Sequence, residues 1–345
     1  MMSFSPPRAG FFSLAALPLA AAILAGLALL CGPLTREASG AEARRAALAL
    51  QWQPQAQFAG FYAAQAKGFY REAGVEMEII PGGPDVVASE LLKSGRAQFA
   101  TMFLATGLER RAEGLPVVHL AQLVQSSALM LLVRADSPVR EPKDLDGRRV
   151  GLWDNEFRLQ PRALFRRLGI TPVIIPQSDT LTLFLRGGVE AASGMWYNEY
   201  HTLLASGLNP EELRVFFYRD LELNFPEDGL YALEKTADAD PELCRAVVAA
   251  SLRGWKWAFE HPDEALDIVM DARKKAHLPA SRAHQRWMLA RMKDVMQAQG
   301  QLAGRLEHAD YDRVARELSA QGLIRSVPDF EAFNRGGRLA EEAGK

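Results

Sequence analysis

From Ala46 onward the sequence alternates short apolar runs with amphipathic stretches, and this alternation restricts the fold more than any other feature. Strands separated by helices do not pair as hairpins; they line up in parallel sheets with helices on their faces. Residues 47–50 open a first strand, 58–71 carry helical spacing that ends near Gly74, and 75–80 read as a second strand. The turn Pro81-Gly82-Gly83-Pro84-Asp85 follows, and helical spacing resumes over 86–94. A strand that enters a helix through a glycine turn leaves first-turn amides free, which suits an acceptor group on a ligand, although the same residues also serve as a plain connecting turn.

A helix, a glycine and a strand are written once as Leu92-Lys93-Ser94-Gly95-Arg96-Ala97-Gln98-Phe99-Ala100 and again as Leu185-Arg186-Gly187-Gly188-Val189-Glu190-Ala191-Ala192. Such a repeat points to two α/β lobes built on one plan, and 345 residues are enough for both. The apolar strand at 129–133, followed by a polar, proline-containing segment, places the crossing into the second lobe at 133–138, and 229–233 would cross back. The expected division is therefore 44–134 with 233–330 for the first lobe, 135–232 for the second, and a polar tail at 331–345. The C-terminal part is mainly helical: Leu243, Val247, Ala250, Gly254 and Ala258 recur at helical intervals, and His261-Pro262-Asp263 interrupts them. Trp255, Trp257, Phe259 and Trp287 in this region read as packing residues.

Ahead of this pattern, residues 11–31 are almost wholly apolar and follow Arg8, as in an export segment. The run approaches the roughly 20 residues that span a bilayer. Residues 1–43 thus fit either a cleaved signal peptide, cut after Ala43 in Ala38-Ser39-Gly40-Ala41-Glu42-Ala43, or an uncleaved membrane anchor. Either places the rest of the chain in the periplasm or otherwise outside the cytoplasm. With Cys31 in that segment, Cys244 stands alone as a buried thiol, and stability rests on the core and not on disulfides. Hydrophobic residues at 48%, charged residues at 24% and a net charge of -2 offer no basic stripe for nucleic acid.

Catalytic equipment is scarce. The six histidines form no HExxH, the cysteines no CxxC, and there is neither a Walker-type phosphate loop nor a GxSxG elbow. His277 and His284 read as surface residues of one helix face, and neither a metal nor a cofactor is expected. In open α/β sheets ligands sit beyond the carboxyl ends of the strands, and aromatics and amides gather at four such places. In Leu50-Gln51-Trp52-Gln53-Pro54-Gln55-Ala56-Gln57-Phe58-Ala59-Gly60-Phe61-Tyr62, Trp52 can stack on a flat ring and Gln57 can donate and accept; an aromatic core cap accounts for Phe61 and Tyr62 but not for the amides. Thr101-Met102-Phe103 and Trp153-Asp154-Asn155-Glu156-Phe157 follow two further strands, with Trp153 as a second face for a ring and Asp154 as a contact or a helix cap. In Gly194-Met195-Trp196-Tyr197-Asn198-Glu199-Tyr200, Glu199 can accept hydrogen bonds from an amino-substituted ring or sit as a helix-start acid. The candidate ligand contacts are Trp52, Gln57, Tyr62, Gly82, Gly83, Phe103, Trp153, Tyr197, Asn198 and Glu199.

In the first and last of these phrases, and in Lys67-Gly68-Phe69-Tyr70 and 81–85, the chain resembles the thiamine-pyrimidine-precursor-binding family of ABC-transporter substrate-binding proteins, relatives of the alkanesulfonate and nitrate binders. The resemblance runs over about residues 46–323. It implies a type II periplasmic-binding fold, two lobes joined by two hinge strands that close on a small heteroaromatic nutrient such as a thiamine pyrimidine precursor. It also implies transport without catalysis, a permease and an ATPase as partners, and action as a monomer. Pyrimidine-binding members and the related fungal pyrimidine synthases usually carry an aspartate before the tryptophan and a histidine a few residues on, where this chain has Gln51 and Phe58. The synthases' cysteine-rich motif is missing as well. These departures speak against a synthase-like enzyme and leave a larger, flavin-like ring open as ligand; a membrane-anchored ligand sensor is the other reading, motivated by residues 11–31.

Overall fold

The first sheet is built from β1 (Arg44–Ala49), β2 (Val75–Ile80), β3 (Phe99–Phe103), β4 (Val117–Gln122) and a strand that returns late in the chain, β10 (Asp228–Leu233). The second holds β5 (Leu129–Arg134), β6 (Arg149–Leu152), β7 (Val173–Pro176), β8 (Ala191–Met195) and β9 (Leu213–Phe217). The structure, a computed structural model, describes residues 43–279, 281–298, 301–302 and 304–337. The apolar run at 11–31, Cys31, the small residues up to Glu42 and the tail from 338 lie outside the described residues. Among the described residues no helix is long and apolar enough to cross a membrane.

Both sheets follow one plan. Their strand orders are β2-β1-β3-β10-β4 and β7-β6-β8-β5-β9, each parallel except for one reversed strand, β10 or β5. The central strands β3 and β5 are apolar on both faces because helices cover both, whereas edge strand β2 alternates buried Val75 and Met77 with exposed Glu76 and Glu78. The repeated phrase of the sequence is realised at equivalent places. Gly95 (φ 76°) and Gly187 (φ 67°) end the short helices Ala88–Lys93 and Thr182–Leu185 and release the chain into β3 and β8. A left-handed residue is needed to close each helix, and glycine adopts that conformation without strain.

Several expected boundaries move. The helical stretch 58–71 is divided into a 3-10 turn Ala56–Phe58 and helices Ala59–Ala66 and Phe69–Glu72, parted by Gly68 at φ 79°. Thr101, Met102 and Phe103 lie within β3, not after it. Because β5 pairs with β8 and β9, the chain has already entered the second lobe by Leu129, so it crosses at 123–128 and returns at 222–227. An apolar strand such as 129–134 suits the middle of either sheet, and nothing local names its partner.

Helix Pro241–Glu260 crosses helix Ala59–Ala66 through facing glycines: a Cβ on Gly254 would lie 2.1 Å from the Gly60 carbonyl oxygen, and one on Gly60 would lie 2.2 Å from Trp255 Cγ. Trp255 fills the core beside Phe61 and Phe259, and Cys244 is buried, its thiol pushed up to about 12 by burial. Trp287 departs from the packing reading, since it reaches the second lobe, as does His284. His277 stands in a turn at φ 56° beyond helix Pro262–Lys275, so it shares no helix face with His284 on Arg282–Met296.

Candidate functional site

The residues after β1 form a chain of amides that ends on a carboxylate. Gln55 Nε2 donates to Gln57 Oε1 (2.6 Å), Gln57 Nε2 to Asp228 Oδ2 (2.9 Å) and Gln51 Nε2 to Asp228 Oδ1 (2.9 Å). The Gln51 main-chain N–H is fixed on Thr101 Oγ1 (2.9 Å), while its Oε1 is buried without a partner among the described residues. Asp228 is itself buried, and burial pushes its carboxyl up to about 7 against the two amides that favour the charged form. The acid that the resemblance places at position 51 is thus supplied by the first residue of β10, which Gln51 grips.

Asp228 follows directly on the returning crossing. Glu227 Oε1 accepts from Ser127 Oγ (2.9 Å), Ala128 N (2.7 Å) and Leu129 N (3.3 Å), which staples 222–227 to 123–128. Its Oε2 has no partner among the described residues, and burial, reinforced by the charge of Asp228, pushes the carboxyl up to about 8.

From the second lobe, Phe157 meets Phe103 edge to face (centroids 4.9 Å apart) and Trp153 at a tilt (5.1 Å), so an aromatic wall spans the gap between the sheets. Glu156, beside it, is half-buried, and burial raises its pKa. Tyr197, just past β8, is buried with no hydrogen-bond partner for its hydroxyl among the described residues. Its pKa is raised well above the ordinary value, first by burial and then by Asp228, Glu227, Glu199 and Glu156. That field ties the residues past β8 to the start of β10.

Asn198 and Glu199 are engaged differently from a free ligand contact. Glu199 Oε2 accepts from Met195 N (2.8 Å) and Oε1 from Asn198 Nδ2 (2.7 Å), with burial pushing the carboxyl up to about 7. Asn198 Oδ1 in turn lies 2.8 Å from His284 Nε2, and His284 Nδ1 lies 3.2 Å from His201 Nδ1. With the proton of neutral His284 on Nε2, its Nδ1 accepts from His201, and the chain His201, His284, Asn198, Glu199 is continuous across the lobes. Burial, with the charges of His201 and Arg273, pushes His284 down to about 4 and keeps it neutral. Trp287 adds a donor to the Trp196 carbonyl (2.9 Å) and stacks on Tyr200 (5.7 Å).

Of the ten sequence candidates, Gln57, Phe103, Trp153 and Tyr197 face this junction, and Asn198 and Glu199 form its lobe-to-lobe contact. Trp52 keeps an open face, at 36% exposure with no ring or cation of the described residues stacked on it. Tyr62 packs in the core, its hydroxyl buried without a partner among the described residues. Gly82 is required for close approach, because a Cβ there would lie 2.2 Å from the Leu50 carbonyl oxygen; a Cβ on Gly83 would clear its nearest neighbour at 3.6 Å. The turn closes on itself, with Gly82 N donating to the Trp52 carbonyl and Val86 N to that of Gly83, and the helix after it starts only at Ala88. Asp154 pairs with Arg158 and Arg162 at the surface. Sequence reasoning passed over Asp228, Glu227, Glu156 and His201, whose only local signal is an acid pair after Pro226 in what reads as a polar turn.

Two α/β lobes of identical strand order, joined by two crossings and lined at the junction by aromatics and amides, define the type II periplasmic-binding class. The periplasmic aliphatic sulphonate binding protein SsuA from Escherichia coli has the same fold, with a TM-score of 0.66 at 16% identity over 84% of this chain and 91% of that one. Residues 55–265 match the family described as NMT1/THI5 like, and the chain belongs to it. Among its relatives are a riboflavin-binding protein of Chloroflexus aurantiacus, 30% identical over 241 residues (67% of each chain), and a formylaminopyrimidine-binding protein of Halalkalibacterium halodurans, 25% identical over 242 residues (67% of this chain, 71% of the relative).

Proposed function

We propose that this chain is the extracytoplasmic solute-binding component of an ABC importer, capturing a small heteroaromatic nutrient between its lobes and handing it to a permease driven by an ATPase. The observation that carries the reading is the convergence at one junction of an aromatic wall from both lobes (Phe103, Phe157, Trp153) with the Gln51–Asp228–Gln57 network. Flat apolar faces hold a ring, and a few buried polar groups fix its orientation. Relatives named for riboflavin and formylaminopyrimidine binding support a ring as cargo. The apolar run at 11–31 supports export, whether cleaved or kept as an anchor.

A synthase-like activity is disfavoured by position 58, where a fully buried Phe58 replaces the histidine of the resemblance. Thermal melting of the purified protein with riboflavin and with formylaminopyrimidine tests the proposal. A cargo at about 100 times its Kd stabilises by roughly 2.7 kcal/mol and raises the melting temperature. Chemical conversion of the ring by the purified protein, or stabilisation by no ring compound, would overturn the reading.

A further inference from the structure

His201 belongs to helix Glu199–Ala205 of the second lobe and His284 to helix Arg282–Met296 of the first, so their bond exists only while the lobes stand together. Its proton count is fixed from one end. Asn198 Nδ2 donates to Glu199 Oε1 at 2.7 Å, which turns Asn198 Oδ1 toward His284 Nε2 at 2.8 Å. An amide oxygen only accepts, so His284 Nε2 carries the proton and its Nδ1 holds a bare lone pair. That lone pair lies 3.2 Å from His201 Nδ1, which must be the donor. A further proton, on His284 Nδ1, would set two N–H groups against each other and break the contact. Nothing around the pair favours that proton. Neither ring has a carboxylate partner among the described residues. Arg273, held on the Pro54 and Pro279 carbonyls, acts on His284, and Arg291, beside Asp294, lies over the rings of Trp287 and Trp196. Arg282 and Arg286 are engaged by Asp263 and Asp267, and Tyr200, stacked on Trp287, has its pKa raised and stays neutral. Glu199 is bonded to Met195 N and Asn198 inside its own lobe, so these bonds persist whether or not the lobes meet.

We propose that His201 and His284 are positioning residues that latch the lobes together, holding cargo at neutral pH and releasing it on acidification. The inference rests on the binding reading above and deepens it with a control on release. Apart, each ring faces water and titrates near the ordinary value of about 6.5. Together, burial and the charges of His201 and Arg273 keep His284 unprotonated down to about 4, and burial shifts His201 in the same direction. A base whose pKa is depressed in the joined form favours that form above the free value, and the contribution is lost as pH falls toward the depressed one. One such proton weakens the joined form roughly tenfold between about pH 7.5 and about pH 5.5.

The test measures riboflavin release by stopped-flow fluorescence at those two pH values, in the unaltered chain and in His284→Gln, His201→Asn and His201→Ala. The glutamine keeps a donor for Asn198 Oδ1 and has no proton to gain, and the asparagine keeps a donor near the place of His201 Nδ1. Release from the unaltered chain should quicken roughly tenfold at the lower pH with association little changed, and release from His284→Gln should be the same at both. At the higher pH His201→Ala should release faster than His201→Asn, the rescue that loss of packing alone would not give. A release rate indifferent to pH in the unaltered chain, a dependence that persists in His284→Gln, or equal release from the two His201 variants overturns the inference. X-ray scattering of the cargo-free chain decides without riboflavin: the radius of gyration should grow on acidification in the unaltered chain and not in His284→Gln, and a radius unmoved by pH overturns the latch. Failure of riboflavin to bind bears on the binding reading, and the scattering result then stands for the latch.

Discussion

Glu227→Gln should take a pH dependence out of the stability of this protein. In the fold Glu227 is held at about 8 by burial and by Asp228, whereas a free glutamate titrates near about 4.3. Between those values the native state keeps a proton that the unfolded chain has released, so stability falls as pH rises and is greatest on the acid side of the window. A full proton difference costs about 1.4 kcal/mol per pH unit, or roughly 2.7 kcal/mol from about pH 5.5 to about pH 7.5. The three donors on Oε1 favour the charged form, so about 1–3 kcal/mol is the expected range. Glutamine keeps the Oε1 acceptor and has no proton to lose. Urea unfolding at the two pH values should show variant and wild type close at the lower one, with the variant ahead by that amount at the higher one and the m value unchanged. Parallel pH profiles would refute the argument that the staple holds a protonated carboxyl.

In an exposed helix Gly→Ala gains about 1 kcal/mol. At Gly254 the new Cβ would lie 2.1 Å from the Gly60 carbonyl oxygen and 2.7 Å from Ala64 Cβ, so overpacking reverses the sign. A net loss of about 1–2 kcal/mol and a melting point lower by a few degrees are expected, read by thermal unfolding. Asn198→Ala removes the acceptor for His284 and a donor to Glu199 at the contact between lobes. Cargo dissociation, followed by stopped-flow tryptophan fluorescence, should quicken roughly tenfold with little change in the association rate.

The lobes were legible because alternation and the Gly95 and Gly187 phrases are local signals, each fixed within a helix and the strand after it. The crossing points were not, since β5 is apolar on both faces and its choice of β8 and β9 is decided by residues far along the chain. The site divides the same way. Gln51, Gln55 and Gln57 stood out as amides that core packing does not explain, but the carboxylate that explains them lies 171 residues beyond Gln57. Glu199 was legible as an acid among aromatics, but its bonds to Met195 N at the end of β8 and to the Asn198 side chain were not, because they depend on how the strand turns into the helix. His284 looked like a surface residue because its partner His201 belongs to the other lobe.

The position of β10 also bears on the order in which the molecule can be made. β3 and β4 do not touch; β10 lies between them, bonded to both. As the chain emerges from the ribosome, the first lobe therefore has a missing central strand until residue 233 is out, after the whole second sheet has appeared. The second sheet is continuous in sequence from β5 to β9 and can close on its own, but the first stays open with the unpaired edges of β3 and β4 exposed. With its middle strand placed about two thirds of the way along the chain, the first sheet is completed only after the second can close, so the second lobe can form ahead of the first.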